Sequence, residues 1–338
     1  MRLTALRLTD RVWGVRATGA LAVAFVVAAC GGAGATASPA PTIGPMATSA
    51  TASISPGVTG SAGLRTLAAS PTPGSGVPDF RHIYVIIMEN KEYGSIVGSS
   101  SAPYENELIA RYGLTTNFYA ETHPSEPNYI ALTSGGLQGT NSDGTYDLVV
   151  PNLFDQIESS GRSWHVYAQG YPGNCFRSFQ AAPVADGPGQ DGDYVRKHNP
   201  AISYTSISGN PGRCANITRL TGFDPAAADF EMIIPNEIND MHSSSVRAGD
   251  DFLRAFMPQI VGSPAFADSV LFITWDEGDT DAKGGGHIAT IVASPGMTPG
   301  ARFDGPATHY SILRTIELAW GMPLLGEAAT ASTIALPY

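Results

Sequence analysis

Two apolar segments of this 338-residue chain end abruptly in side chains that can bind a cation. The run IYVIIM is followed by Glu89 and Asn90, and the run VLFITW is followed by Asp276 and Glu277. Carboxylate and amide oxygens are the ligands that hard divalent cations prefer. One such strand end is more simply explained as a polar terminus facing water. Two of them favour a shared metal site beyond the carboxyl ends of neighbouring strands.

A serine begins a third segment that could carry chemistry, THPSEPNYIALTSG (122–135). A predicted strand over 115–120 leads into a turn bracketed by prolines. Pro127 and Gly135 then mark the first turn and the end of a predicted helix. Ser125 therefore lies at or near the helix N-cap, which is an ordinary structural use of serine. The alternative is nucleophilic, because a helix N-terminus favours a phosphate oxygen and a metal lowers the pKa of a bound hydroxyl.

Seven histidines could move protons, since histidine titrates near neutral pH and a leaving oxygen needs a proton. His82 and His165 fall within or beside strand patterns and are expected to be structural. His309 begins the last predicted helix, where an N-cap or surface role is expected. The other four lie in polar segments marked by glycine and proline and are the candidates for the site: His123, His198, His242 and His287.

The elements that must position these residues alternate between strands and helices. Short apolar runs indicate buried strands, and longer patterns with a helical period lie between and after them. This alternation predicts an α/β sheet with helices on both faces. The predicted strands are 83–88, 115–120, 164–168, 230–234, 270–275 and 288–293, and the predicted helices are 104–111, 153–159, 246–260 and 311–320.

The N-terminus has the features of a bacterial export signal. Residues 1–29 contain four arginines, then an apolar run that is too short for a comfortable permanent membrane span. The run ends in Val27-Ala28-Ala29-Cys30, which resembles a lipobox in which Cys30 is lipidated and becomes the mature N-terminus. The alternative is an ordinary cleavable signal with an incidental cysteine. The first interpretation predicts an extracytoplasmic protein, anchored to the cell membrane by lipid or secreted.

Two further cysteines, Cys175 and Cys214, predict a disulfide bond, because an even number of cysteines outside the cytoplasm favours pairing. Two free thiols are the alternative. The disulfide would close a loop of about 40 residues, worth roughly 3–4 kcal/mol by loop-closure entropy. It would staple the stretch 171–228, which is rich in Gly, Pro and Asp and is expected to be a long ordered excursion.

Composition divides the chain into three parts. Residues 1–29 are the predicted signal, 30–78 a disordered tether of mainly Gly, Ala, Ser, Thr and Pro, and 79–338 a single folded domain. Removing the four arginines and one aspartate of the signal from 19 basic and 30 acidic residues leaves 15 and 29, a net charge of −14. Such an acidic chain argues against nucleic acid or anionic lipid as a main partner. Membrane association is expected only through the N-terminal lipid.

Six strings occur in an order that resembles the phosphoesterase family of secreted acid phosphatases and bacterial phospholipases C. That family belongs to the alkaline-phosphatase-like superfamily, so the resemblance implies a central, mostly parallel sheet with helices on both faces. Each string alone is weak, but six in register over about residues 80–325 are specific. They are MENKEY (88–93), THPSEPNYIALTSG (122–135), KHNP (197–200), PNEINDMH (235–242), TWDEGD (274–279) and GGGHIATIVASPG (284–296).

The resemblance implies a divalent metal site and a transiently phosphorylated nucleophile, which is Ser125 in this sequence. Asp240 and His242 fall in the string that resembles the family's PN…DMH segment and are expected at the site. The metal's identity and the number of ions are left open. The residues matched to metal binding are Glu89, Asn90, Ser125, Asp240, His242, Asp276 and Glu277.

The resemblance also suggests groups that act on the substrate. His123 and His198 are expected to contact phosphate or donate protons, and His287 matches a histidine that follows the late strand in the superfamily. Asn128 is assigned to substrate binding. Glu126 departs from the motif, in which an apolar residue is common, and its carboxylate would either repel phosphate or point to solvent.

Three functions follow as hypotheses. The first is a metal-dependent phosphomonoesterase of acid phosphatase type, acting through phosphoserine on a small phosphorylated substrate. The second is a phosphodiesterase of phospholipase C type, although larger phospholipases of this kind carry extra C-terminal segments. The third is a non-catalytic surface lipoprotein with a degenerate site.

Overall fold

An eight-stranded sheet runs through the part of the chain that the structure, a computed structural model, describes: residues 76–187 and 192–336. Two further short strands, β4 and β5, pair with each other outside it. The strands are β1 (His82–Met88), β2 (Gly113–Tyr119), β3 (Trp164–Ala168), β4 (Gln180–Ala181), β5 (Tyr194–Val195), β6 (Ile217–Thr218), β7 (Phe230–Ile234), β8 (Ser269–Trp275), β9 (His287–Ala293) and β10 (Ala301–Phe303).

Each predicted helix is present within about two residues except where a proline intervenes, and the described residues contain three further helices of one turn that the sequence did not predict. The helix predicted over 246–260 is two helices, because Pro258 lacks an N–H and its ring clashes with the preceding turn. The α-helices are α1 (Tyr93–Ile96), α2 (Pro103–Arg111), α3 (Ser125–Ser134), α4 (Leu153–Ser159), α5 (Thr205–Ser208), α6 (Pro211–Cys214), α7 (Val246–Phe256), α8 (Pro258–Val261) and α9 (His309–Ala319). Short 3₁₀ turns lie at Arg196–His198, Pro200–Ser203, Leu220–Gly222, Pro264–Asp268 and Gly326–Ala329.

The sheet is mostly parallel, as expected. Its strand order is β10-β2-β9-β8-β1-β7-β3-β6, and β9 runs antiparallel to both of its neighbours while the other pairs are parallel. The carboxyl ends of β8, β1 and β7 therefore lie side by side. Met88 is in register with Trp275, so the acidic residues that follow these two positions meet at one edge of the sheet.

Both faces of the sheet are covered. Every residue of β1 and β8 is buried, and successive side chains of a strand point to opposite faces. Helix α2 packs with α7, and α3 packs with α4 and α9. None of the helices in the described residues is long and apolar enough to cross a lipid bilayer.

The excursion between β3 and β7 is ordered by side chains rather than by long elements. Cys175 and Cys214 form the predicted disulfide bond, with a Cα–Cα distance of 5.4 Å. The buried carboxylate of Asp186 accepts hydrogen bonds from the backbone N–H groups of Gly170, Leu220 and Thr221. These contacts hold the segment against the sheet, where β6 adds a parallel edge strand to β3.

The predicted export signal, the lipidation site Cys30 and the tether up to residue 75 lie outside the described residues. The last tether residues are described, and Val77 packs partly buried against the core. The chain enters β1 at His82.

Candidate active site

The ends of β1 and β8 are tied together by backbone hydrogen bonds. The N–H of Asp276 donates to the carbonyl of Met88 across 3.0 Å, and the N–H of Asn90 donates to Asp276 Oδ1 across 3.0 Å. Asn90 adopts a left-handed conformation with φ 43°, a region that asparagine tolerates better than most residues. This turn brings the two acid-tipped strands into a single site, with Glu89 and Asp276 fully buried.

Ser125 lies between carboxylates from the two strands. It is the first residue of α3, and Pro124 occupies the N-cap position, so Ser125 is not the cap. Its hydroxyl lies 3.2 Å from Glu89 Oε2 and 3.4 Å from Glu277 Oε1, within hydrogen-bond distance of both. The side chain is buried. Nucleophilic catalysis by serine requires a nearby group that accepts the hydroxyl proton, and either carboxylate is close enough to do so.

Asn128 does not reach the site as a substrate ligand, which corrects its predicted role. Its Oδ1 accepts the backbone N–H groups of Glu121 and Thr122, and its Nδ2 donates to the carbonyls of Thr122 and Pro124. The oxygen and the nitrogen of this buried amide thus both form hydrogen bonds with the turn that precedes the nucleophile. Its function in the structure is to fix the path of that turn.

A second group of metal-type donors adjoins Glu89. Each of Glu89, His198 and His242 offers one ligand atom, and these atoms lie within 4.8 Å of one another. Asp240 flanks the group and accepts the backbone N–H of His242 across 2.7 Å. The structure therefore places His198 among possible metal ligands, whereas the sequence suggested a phosphate-contacting or proton-donating role.

The ring of His198 stands between two carboxylates. Nε2 lies 3.2 Å from Glu89 Oε1, and Nδ1 lies 3.3 Å from Asp240 Oδ2, but neither pair has hydrogen-bond geometry. Burial, with the nearby Lys197 and His242, holds the pKa of His198 well below its usual value. A neutral imidazole carries one N–H, so it cannot donate to both carboxylates.

The buried carboxylates raise one another's pKa values. Burial raises the pKa of Glu89 well above its usual value, and the charges of Asp276 and Asp240 raise it further. Burial also raises the pKa of Asp240 well above, and that of Asp276 above, the ordinary range. Three crowded acids with Lys197 as a nearby buried cation form a site that a further positive ion would stabilise.

Polar atoms without partners test whether the donor set fits a metal. Asn90 Oδ1, Asp240 Oδ2, Asp276 Oδ2 and both ring nitrogens of His198 are buried without a hydrogen bond from the described residues. Buried polar atoms are rarely left unpaired unless they serve an ion, a water or a ligand. Oxygen and imidazole donors of this kind suit a divalent cation, so the residues present fit the implied metal.

Both ring nitrogens of His123 have hydrogen-bond partners, one of which is Glu277. Its Nδ1 lies 2.8 Å from Glu277 Oε2, and its Nε2 lies 3.1 Å from the carbonyl of Thr280. Burial alone would lower the pKa of His123, but the Thr280 carbonyl and the Glu277 carboxylate raise it. Burial and the charge of Asp276 raise the pKa of Glu277 to about 7. Because both ring nitrogens are engaged, the contacts of His123 position Glu277.

The ring of His287, a residue expected to act on the substrate, makes its contacts with two aromatic rings and a backbone carbonyl. His287 begins β9, and its ring stacks between Tyr93 and Tyr119 at centroid distances of 4.3 and 4.8 Å. Its Nε2 contacts the carbonyl of Thr116 at 3.1 Å. The start of β9 lies near the edge of the site because β9 is antiparallel, and the two tyrosines fix the orientation of the ring there.

His309 is buried, so the expected N-cap or surface role is wrong; Thr308 is the N-cap of α9. The ring of His309 bonds to Glu121 Oε2 through Nδ1 and lies 2.9 Å from the carbonyl of Trp275 through Nε2. It thereby links the turn before Ser125 to the residue before Asp276.

Sequence reasoning missed two residues that shape the site. Tyr129, one turn after Ser125, donates its hydroxyl to Glu89 Oε1. Lys197 is nearly buried, and its Nζ lies 3.0 Å from Asp143 Oδ2 and 3.2 Å from His242 Nε2. The KHNP string contained the lysine, but nothing in the local sequence indicated that its ammonium faces the acidic cluster.

Glu126 neither faces the phosphate side nor points to solvent, so both expectations for it are corrected. Its buried carboxylate accepts the backbone N–H of Gly144 at 2.7 Å and the Ser203 hydroxyl at 3.2 Å, with an Arg196 nitrogen 3.9 Å away. Burial raises its pKa to about 7. The carboxylate is thus directed into the protein behind the nucleophile.

Comparisons with known proteins agree with this architecture. Residues 98–323 match the family model described as the phosphoesterase family. A phosphatidylinositol-3-phosphatase of Mycobacterium tuberculosis is 29% identical over 262 residues, which cover 77% of this chain and 83% of that protein. An acid phosphatase of Aspergillus fumigatus is 29% identical over 279 residues, which cover 78% of this chain but only 61% of that protein.

The solved structure of the lipoteichoic acid synthase LtaP from Listeria monocytogenes has a similar fold. The TM-score is 0.54 at 9% sequence identity, and the match covers 79% of each chain. At this identity the likeness concerns the fold alone. It is consistent with the α/β architecture and the mostly parallel sheet described above.

Proposed function

The chain belongs to the phosphoesterase family, whose members act on phosphoester bonds, and we propose that it is a metal-dependent phosphomonoesterase that works through phosphoserine at Ser125. The observation that carries the proposal is the position of the Ser125 hydroxyl, 3.2 Å from Glu89 and 3.4 Å from Glu277 at the meeting point of two acid-tipped strands. Acidic groups crowd this point, and several of their buried polar atoms have no partner in the described chain.

The proposed metal ligands come from the donor set around Glu89. Asp276, Asp240 and Asn90 supply oxygens that have no hydrogen-bond partner in the described chain, and His198 and His242 supply ring nitrogens. Glu277 is a further candidate ligand, as is Ser125 itself. A divalent cation bound there would neutralise the crowded carboxylates and draw electron density from phosphoryl oxygens.

The chain's own groups account for the proposed transfer as follows. The Ser125 hydroxyl gives its proton to Glu89 Oε2 or Glu277 Oε1, and its oxygen forms a bond to phosphorus as the bond to the alcohol oxygen breaks. The departing oxygen takes up a proton from solvent, and the carboxyl group that received the serine proton releases it to solvent. Water then attacks the phosphoserine and gives a proton to the same carboxylate, its oxygen bonds to phosphorus as the Oγ–P bond breaks, phosphate leaves, and the carboxyl group returns the proton to Ser125 Oγ.

The start of α3 offers fewer free donors for phosphate than the sequence suggested. The N–H of Glu126 already donates to Asp143 Oδ1, and Pro127 has no N–H. Charge on the phosphoryl oxygens therefore needs another positive group besides a metal. Lys197 can supply this positive charge. Its side chain is buried against His242, and although burial alone would lower the pKa of its ammonium, the charge of Glu89 raises it.

Monoester hydrolysis is preferred to diester hydrolysis because the names of the bacterial and fungal relatives, a phosphatidylinositol-3-phosphatase and an acid phosphatase, denote phosphomonoesterases. A phosphodiesterase of phospholipase C type is the alternative within the family. A non-catalytic surface lipoprotein is the alternative outside it. Parallel assays with an aryl phosphate and a phosphocholine diester separate the first two, and chelation followed by metal add-back separates the enzymes from a binding protein.

Ser125→Ala is the test of the nucleophile. We expect hydrolysis of an aryl phosphate to fall by roughly 10³-fold or more, and acid-quenched protein to lose the phosphoprotein seen in the wild type. Ser134→Ala is the matched control, because Ser134 is a buried serine at the other end of the same helix whose hydroxyl bonds to the Ile130 carbonyl. Near-normal hydrolysis by a folded Ser125→Ala protein would refute the assignment.

Export and anchoring are part of the proposal. The Cys175–Cys214 disulfide supports a location outside the cytoplasm, and Cys30 is the proposed lipid attachment site. No nucleic acid is proposed as a partner. Metabolic labelling with a fatty acid should mark the wild type and not Cys30→Ser, and label retained by that variant would exclude lipidation at Cys30.

A further inference from the structure

Asp143 joins the nucleophile helix to the lysine beside the acidic cluster. Its Oδ1 accepts the backbone N–H of Glu126, the residue that follows the nucleophile, across 3.0 Å. Its Oδ2 accepts from Lys197 Nζ across 3.0 Å. A single carboxylate thus uses one oxygen for the start of α3 and the other for an ammonium that lies 54 residues away in the chain.

The segment that carries Asp143 is held rigidly by the nucleophile helix in return. Glu126 accepts the N–H of Gly144 through Oε2, while Asp143 accepts the N–H of Glu126, so each segment's carboxylate bonds to the backbone of the other segment. The buried Arg196 adds bonds to the carbonyls of Tyr146 and Gly144. This clamp explains why a carboxylate is tolerated at position 126, and it leaves Asp143 little freedom to move.

Lys197 needs such an orienting partner. An ammonium on a flexible four-carbon side chain loses considerable conformational entropy when it is fixed. Its three N–H groups have two described acceptors, Asp143 Oδ2 and His242 Nε2. The lysine is buried between Asp143 and His242, at the edge of the acidic cluster that surrounds Glu89.

We propose that Asp143 is a positioning residue, which holds the Lys197 ammonium where it binds the phosphoryl oxygens of the substrate and of the product phosphate. This inference rests on the proposed function for the identity of the ligand. It adds a residue that lies outside all six sequence strings. It also assigns separate tasks to the two oxygens of Asp143, since Oδ1 caps the helix and Oδ2 aims the lysine.

Asp143→Asn separates the two tasks. The Asn side chain keeps Oδ1 as an acceptor for the Glu126 N–H, but it places an NH₂ group against the Lys197 ammonium. We expect the helix cap and the melting temperature to be nearly unchanged, while KM for an aryl phosphate and the dissociation constant for inorganic phosphate both rise about tenfold, with a smaller change in kcat.

The proposal predicts coupling with Lys197. Lys197→Met alone should weaken phosphate binding by at least as much as Asp143→Asn, and in the Lys197→Met background Asp143→Asn should change it less than about twofold. Asp147→Asn is the matched control, because Asp147 is on the same segment but is exposed and pairs mainly with Arg177. It should leave phosphate binding at the wild-type level.

Binding of inorganic phosphate, measured by calorimetry, keeps this test independent of turnover. A wild type that binds phosphate but hydrolyses no ester would overturn the proposed function and leave the effect of Asp143→Asn on phosphate binding to decide the positioning role. Additive effects of the two substitutions, or a fall in melting temperature with unchanged phosphate affinity, would show that Asp143 is only a structural cap and would overturn the inference.

Discussion

Tyr129 donates its hydroxyl to Oε1 of Glu89, while the Ser125 hydroxyl lies 3.2 Å from the other oxygen of that carboxylate. Tyr129 and Ser125 are one helical turn apart on α3, so one helix face holds both oxygens of an acid at the end of β1. Tyr129 also stacks on the His198 ring, with centroids 5.5 Å apart. The helix therefore orients two proposed metal ligands as well as supplying the nucleophile.

Tyr129→Phe should weaken metal binding without unfolding the protein. The substitution removes the hydrogen bond to Glu89 and keeps the ring that stacks on His198. Loss of a partner that orients a metal ligand typically costs 10–100-fold in metal affinity or activity. We expect the dissociation constant for Mn²⁺, measured by calorimetry, to rise by about tenfold or more.

Tyr204→Phe is the matched control for this change. Tyr204 is equally buried, and its hydroxyl bonds to Thr133 on the same helix, away from Glu89. Its removal should leave Mn²⁺ affinity unchanged. If both variants lose affinity alike, the effect comes from general disturbance of α3 rather than from the contact with Glu89.

Metal removal should destabilise the fold. A cation that relieves the crowding of buried Glu89, Asp240 and Asp276 binds the folded state and not the unfolded chain, so an ion at 100 times its dissociation constant adds about 2.7 kcal/mol. We expect the melting temperature to fall on treatment with chelator and to recover when a divalent cation is returned.

Asp276→Asn should remove most of this ion-dependent shift. Asp251→Asn, which alters an exposed acid paired with Arg247, is the control and should keep it. A melting temperature that is indifferent to chelator in the wild type would exclude a tightly bound ion at this site.

Most of the fold could be predicted because its signals are local. The apolar runs of β1, β3, β7 and β8 gave strand positions within a residue or two, since strands buried on both faces have continuous apolar sequences. The helix break at Pro258 also has a local signal, because proline cannot donate the backbone hydrogen bond that continues the helix. The sequence also predicts that the excursion is ordered, but not the contacts of Asp186 that order it, because these join positions up to 35 residues apart.

The site was predicted only as far as strand ends reveal it. Glu89 and Asp276 follow parallel neighbours, so their meeting could be foreseen from the sheet. The contacts of Tyr129 with Glu89 and of Lys197 with Asp143 could not, because each links residues 40 or more apart with no shared local pattern. A polar setting suggested a catalytic role for His287, but only the structure shows the two tyrosines that enclose its ring.

Loss of the disulfide should weaken the part of the site that the excursion carries. Cys175 and Cys214 are 39 residues apart and enclose Lys197 and His198. Replacing both with serine should lower the free energy of unfolding by roughly 3–4 kcal/mol. It should also raise KM for an aryl phosphate. Urea unfolding of the double variant and of the reduced wild type should agree, and an unchanged midpoint in both would contradict the stapling role.

Glu231 should make the protein less stable as pH rises. It is buried in β7, where Oε1 accepts the N–H of Ala228 and Oε2 has no hydrogen-bond partner in the described chain. Burial, with the charge of Asp224, raises its pKa to about 8, against an ordinary value of 4.5. Between these values the folded protein keeps a proton that the unfolded chain has released, so its stabilising effect is complete below about pH 4.5 and is lost as pH rises toward 8.

Glu231→Gln should remove this dependence by keeping the neutral shape at every pH. Each pH unit in the window contributes at most about 1.4 kcal/mol, so the variant should gain stability relative to the wild type from pH 5 to pH 8. Urea unfolding at several pH values measures the difference. Glu107→Gln, at an exposed position on α2, controls for the loss of one acidic residue. A constant difference between Glu231→Gln and the wild type across this range would show that Glu231 is ionised in the folded protein.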